Sequence, residues 1–130
     1  MRDPAIRKRK TMKRMMLKSM ILKATVTQAD LRYVGSITID QDLIEKTGLA
    51  ENENVLVVDR SNGQRLETYV IRGERGTGVI GMNGAAAHLV NEGDEIDIMA
   101  FTWSSSDVHP ILVEVDGGNR FVRFKNGFPE

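Results

Sequence analysis

The chain has 130 residues, 18 Lys plus Arg against 18 Asp plus Glu, 41% hydrophobic residues and no cysteine. That length suits one domain burying roughly two-thirds of its unfolded surface, and zero cysteines exclude disulfides, thiolate zinc sites and a cysteine nucleophile. The zero net charge hides a split: residues 1–23 hold nine basic side chains against Asp3 alone, net +8, and residues 24–130 hold nine against 17 acids, net −8.

Residues 1–15 lack a sustained apolar face and read as a basic, disordered arm in which Met12, Met15 and Met16 are alternative candidate starts. Residues 16–103 read as the folded domain and 104–130 as a C-terminal extension. Apolar residues at Met16, Met20, Leu22, Ala24 and Val26 recur with period two and predict a first strand. Ala29–Tyr33 reads as a bend, and Gly35–Ile39 as extended with Ile37 and Ile39 on one face. Asp40 is placed to cap a two-turn helix over Gln41–Thr47 that Gly48 ends. Val55–Val58 and Leu66–Arg72 predict a hairpin joined by a type I′ turn at Asn62-Gly63. Val79-Ile80 is a short strand, Asn83–Val90 a brief helix, and Glu95–Phe101 a strand with Ile96 and Ile98 inward. Ile111–Val115 and Arg120–Phe124 flank a glycine turn and make a candidate hairpin. Many short strands with one or two short helices predict a mainly β chain, a small barrel.

Most chemical signals have bland explanations. Gly76–Gly81 spells G-x-G-x-x-G, but a dinucleotide site needs a strand before it and a helix after it. Here Glu74-Arg75 precedes and Met82-Asn83-Gly84 follows, so tight β turns account for the glycines. His88 and His109 have no second histidine at ligand spacing, and no metal site is expected. Trp103 reads as a packing residue near a strand end. No apolar run reaches the ~18 residues of a membrane span, and Lys18 and Lys23 interrupt the stretch a signal peptide needs. The basic arm suits phosphates electrostatically, yet without interleaved aromatics it reads as a solvated tail, with no nucleic-acid partner expected. Ser36 follows Gly35 at a strand start, but Thr38 occupies the second glycine of G-x-S-x-G, so this is no nucleophile elbow.

The residues around Ser36 carry more information. Ala24–Asp40 closely resembles the processing-site region of the pyruvoyl-dependent aspartate 1-decarboxylases. Three further blocks match in the same order: Gly48–Glu53, Asn62–Tyr69, and Glu74-Arg75-Gly76 followed by Asn83–His88. The likeness spans roughly residues 12–103. It implies a double-psi β-barrel and a homotetramer with sites between subunits; with no targeting signal read in the body, the cytoplasm is the default location. It also implies self-cleavage: Ser36 attacks the Gly35 carbonyl, and elimination and hydrolysis leave a covalent pyruvoyl group at residue 36. By the same resemblance Thr68 serves processing, Tyr69 donates the proton that follows CO2 loss, and Arg65 binds the carboxylate of L-aspartate. Asn83, Gly84, Ala85 and Ala86 line the site beside the pyruvoyl group. A glycine at 35 suits strained backbone and a close approach to its carbonyl.

The chain departs from the family where its first strand usually shows Lys-x-His: Met20 and Leu22 stand there. Val58 replaces a tryptophan often found before the Asn-Gly turn. Lys18, two residues earlier and on the same face by strand period, is the nearest substitute for the lost lysine. The alternatives are a cleaved decarboxylase of another amino acid, an uncleaved barrel kept for binding, and a swapped-hairpin DNA-binding module suggested by Gly35–Val58. Cleavage is expected either unaided or with a maturation factor.

Overall fold

A computed structural model describes residues 12–126, and the basic arm up to residue 11 lies outside the described residues. Among the described residues nine strands run in chain order with two short helices. They are β1 (Arg14–Thr25), β2 (Gln28–Asp30), β3 (Ser36–Asp40), α1 (Gln41–Thr47), β4 (Asn54–Asp59), β5 (Arg65–Gly73), β6 (Ile80–Asn83), a 3-10 helix (Gly84–His88), β7 (Glu95–Ser104), β8 (Ile111–Val115) and β9 (Phe121–Lys125). Their order in the sheet is β2-β6-β3-β5-β4-β7-β1-β8-β9. Beyond the end of β1 the sheet closes on itself. The Thr27 amide donates to Ile80 O at 2.8 Å, and the Ile80 amide donates to Thr27 Oγ1 at 3.0 Å. One residue earlier, the Val26 amide donates to Asp94 O beside β7. The result is a mainly β barrel, in agreement with the expected double-psi class.

Alternating apolar residues drive this closure. Ile21, Ile37, Ile39, Val57, Val70, Ile80, Met82 and Ile96 are wholly buried in one core. Each side chain of that size contributes about 1.5–3 kcal/mol on leaving water. The helix α1 adds Leu43 and Ile44. It starts where Asp40 accepts a hydrogen bond from the Asp42 amide, and it ends at Gly48 in the left-handed conformation.

Two expectations about strands fail for the same reason. The period-two face of β1 is broken by register shifts against β7 between Leu17 and Ser19 and between Ile21 and Ala24. Such bulges move the following residues to the other face. Ile21, Ala24 and Val26 therefore enter the main core, whereas Met20 and Leu22 join Leu112 of β8 in a second cluster packed by Leu17 and Met99. Lys18 sits at the first shift, so strand period does not put it on the face of Met20; its Nζ pairs with Glu53 at 2.5 Å.

The β4–β5 hairpin is present, but its turn is not type I′. That turn needs positive φ at both central residues, and only Gly63 has it, at 78°. The loop is five residues, Arg60–Gln64, organised by Asp59 Oδ1, which accepts from the Ser61 and Asn62 amides. Trp103 is 62% exposed at the outer end of β7 rather than packed. β8 and β9 form an antiparallel hairpin, and β8 also pairs in parallel with β1.

Candidate active site

Ser36 opens β3, directly opposite Asn83 in the antiparallel register with β6. Its side chain is fully buried. The hydroxyl donates to Val34 O at 3.0 Å and accepts from Asn83 Nδ2 at 3.0 Å. The same Asn83 nitrogen donates its other hydrogen to Thr38 Oγ1 at 2.9 Å. No role for Thr38 at the site follows from the family resemblance. Its signal was a second hydroxyl two residues along a strand, hence on the face of Ser36.

Gly35 is exposed and borders a cleft of about 390 Å3. Leu66, Glu67, Thr68, Tyr69, Ala85, Ala86 and Leu89 form the rest of its lining. The cleft thus brings together Gly35, Thr68, Tyr69, Ala85 and Ala86 from three distant segments. Ser36 and Asn83 lie buried behind Gly35. Arg65, the first residue of β5, is exposed and lies outside this lining.

The close approach expected at Gly35 belongs to its neighbour. A Cβ on Gly35 meets nothing within 4 Å. Gly84 has φ +68°, and a Cβ there lies 2.7 Å from both Gly35 Cα and N. A side chain at 84 displaces the bond that precedes Ser36, so it is this position that only glycine fills without strain. The volume here fits a small covalent group at residue 36. Gly35, Ala85 and Ala86 on the cleft wall leave space in front of residue 36.

Outside the cleft, the glycine segment has a structural explanation. Asp40 is buried and accepts from the amides of Gly76 at 3.1 Å and Gly78 at 2.8 Å. Burial raises its carboxyl pKa, but the amides of Gly78, Asp42 and Gly76, with the Arg120 charge, outweigh that and hold it below the ordinary value. The G-x-G-x-x-G run thus wraps a carboxylate of its own chain. His88 and His109 are both exposed. Met20 and Leu22 do not line the cleft; they lie under Leu112, so the two apolar departures have an apolar cover. Among the described residues no helix is long and apolar enough to cross a membrane.

A family model described as aspartate decarboxylase matches residues 12–122. The chain is 54% identical over 105 residues to the aspartate 1-decarboxylase of Caldicellulosiruptor saccharolyticus, covering 78% of this chain and 82% of that one. It is also 54% identical over 105 residues to the aspartate 1-decarboxylase of Corynebacterium efficiens, covering 78% and 77%. A solved structure of the rationally designed protein mkDPBB_sym_86 overlays with a TM-score of 0.46 at 17% identity, covering 59% of this chain and 90% of that one. The family match runs through Thr68-Tyr69 and Asn83–His88, blocks that a swapped-hairpin DNA-binding module leaves unexplained. With the Gly35–Ser36 junction set at its cleft, the chain belongs to the aspartate decarboxylase family.

Proposed function

We propose that the chain cuts itself between Gly35 and Ser36 and, once matured, converts L-aspartate to β-alanine and CO2, the β-alanine serving pantothenate synthesis. Family membership supports the overall reaction. The observation that carries the cleavage is the buried Ser36 hydroxyl, held by Asn83 next to an exposed Gly35 that opens on the cleft.

In the first step Ser36 Oγ bonds to the Gly35 carbonyl carbon, the Gly35–Ser36 C–N bond breaks, and the hydroxyl proton passes to the freed nitrogen. An amide becomes an ester with no atom lost. Thr68, on the cleft wall, hydrogen-bonds the carbonyl oxygen as it gains charge in this reading. Loss of the Ser36 Cα proton then breaks the Cβ–Oγ bond. Addition of water and departure of ammonia leave a pyruvoyl group at residue 36 and a carboxylate on Gly35. When formed, that ketone supplies an electron sink for the bond that releases CO2.

The remaining work falls to side chains of this chain. Tyr69, half-buried on the cleft wall, donates the proton to the substrate carbon that lost CO2. Ala85 and Ala86 keep the space open. Arg65 binds the remaining carboxylate through its guanidinium fork. Its exposed position outside this lining supports a site shared between copies in a homotetramer, where the lining of one chain meets Arg65 of another. The reading places the enzyme in the cytoplasm.

Intact-mass measurement of the purified chain tests the proposal. Two pieces of 35 and 95 residues are expected, the larger starting with a pyruvoyl group, together with β-alanine formation from aspartate. A single 130-residue species that stays whole after incubation with cell extract, the source of any maturation factor, defeats the cleavage and favours a barrel kept for binding. A cut chain that ignores aspartate but decarboxylates another amino acid defeats only the substrate.

A further inference from the structure

Asn83 spends both hydrogens of its side-chain amide on hydroxyls, Ser36 Oγ at 3.0 Å and Thr38 Oγ1 at 2.9 Å. The orientation of that amide follows from Ser36. Its single hydroxyl hydrogen is already given to Val34 O, so from Asn83 it can only accept. Thr38 is half-buried on β3, two residues from Ser36 and on the same face. With Thr38 holding one N–H, the amide plane is fixed and the other N–H is aimed at Ser36 Oγ.

We infer that Thr38 is a positioning residue for self-cleavage, acting through Asn83 on the step in which Ser36 Oγ leaves. The inference rests on the cleavage reading above. During the acyl shift Oγ gives electron density to the Gly35 carbonyl carbon, and a donor pointed at Oγ brings little gain. In the elimination the sign reverses. The Ser36 Cα proton passes to water, its electron pair forms the Cα–Cβ double bond, and the Cβ–Oγ bond breaks. Oγ departs with the bonding pair as part of the Gly35 carboxylate. A preset N–H at Oγ meets that charge as it develops, where preorganised donors act most strongly. Without the Thr38 hydroxyl the amide is free to turn, and the ester that precedes elimination accumulates.

The test is a time course of freshly made chain, read by intact mass with and without hydroxylamine, which cuts esters and leaves amides whole. Thr38→Val keeps the shape of the side chain and removes the hydroxyl; Thr38→Ala replaces it if the valine variant does not fold. Loss of one such hydrogen bond to a developing charge slows appearance of the pyruvoyl piece roughly tenfold. A hydroxylamine-sensitive species is expected to build up, and Thr38→Ser is expected to restore the normal rate. Cleavage at the unsubstituted rate, or slowing with no ester and no rescue by serine, overturns the role of Thr38 and leaves self-cleavage standing. Failure of the unsubstituted chain to cut under any condition removes both.

Discussion

Two buried asparagines, one ending β6 and one bonded to Gly78 just before it, hold very different partners. Asn83 is 3% exposed and gives both amide hydrogens to side-chain hydroxyls, those of Ser36 and Thr38. Asn119 is 1% exposed and bonds only backbone. Its Nδ2 donates to Thr25 O and Gly78 O, both at 2.8 Å, and its Oδ1 accepts from the Thr25 amide at 2.8 Å. Through these bonds to backbone groups that must be paired, Asn119 ties the β8–β9 turn to the end of β1 and to the glycine segment. Hydroxyls can turn to other partners, so Asn83 ties down nothing that the fold needs, and it stands beside the atom proposed to react. The difference separates a residue whose loss is read in stability from one whose loss is read in chemistry.

The largest expected effect is on the Asn119 side. Asn119→Ala orphans the Thr25 N–H and carbonyl and the Gly78 carbonyl, and it puts alanine at φ 60°. Denaturant unfolding should show a loss of about 3 kcal/mol, while folded protein cuts at the normal rate. Asn83→Ala should reverse the pattern, costing about 1 kcal/mol or less in stability because Ser36 still donates to Val34 O, yet slowing cleavage. Equal stability losses in the two variants would break the comparison.

A smaller effect follows from pH. Asp40 accepts from the Gly78 amide, so it supports the segment that Asn119 clamps, and Arg120 donates to Gly76 O from the other side. Its carboxyl pKa lies below the ordinary 3.8 in the folded protein. A depressed acid contributes stability that is complete above the unfolded pKa and lost as pH falls through the folded one. Melting temperature should therefore drop below about pH 4, and Asp40→Asn should flatten that limb; an unchanged limb would detach Asp40 from the clamp. Smallest is the contact of Lys46 Nζ with the Phe121 ring, 4.3 Å from its centroid, which pins β9 to α1. Lys46→Met should cost about 0.5 kcal/mol in the same unfolding assay, with cleavage untouched.

Features with local causes were legible in the sequence. The helix at Gln41–Thr47 carries its own start and stop in Asp40 and Gly48, and Ile37, Ile39, Ile96 and Ile98 alternate inward as expected. What was missed depends on distant partners. The bulges that split β1 are set by its register with β7, about 80 residues away, and no local signal marks Lys18. Asn119 reads as an ordinary turn residue until Thr25 and Gly78 are brought to it. Trp103 differs from its reading because it lies near the end of β7, where the period-two pattern continues but, among the described residues, the side chains are no longer buried. At the site, Gly84 rather than Gly35 needs the missing Cβ, because the crowding arises between two loops 49 positions apart in the chain.

β1 is enclosed by β7 on one side and β8 on the other, and it carries Ile21 and Ala24 into the core. All of it precedes residue 36, whereas both neighbours follow. A cut at Gly35–Ser36 therefore turns one polypeptide into a complementing pair of fragments that share a single core. From then on the fold is held by association. Unfolding releases two independent chains, so refolding becomes a bimolecular encounter in which dilution favours the separated pieces. The scission that creates the reactive end thus also makes a molecule, once unfolded, slower to return than the uncut chain.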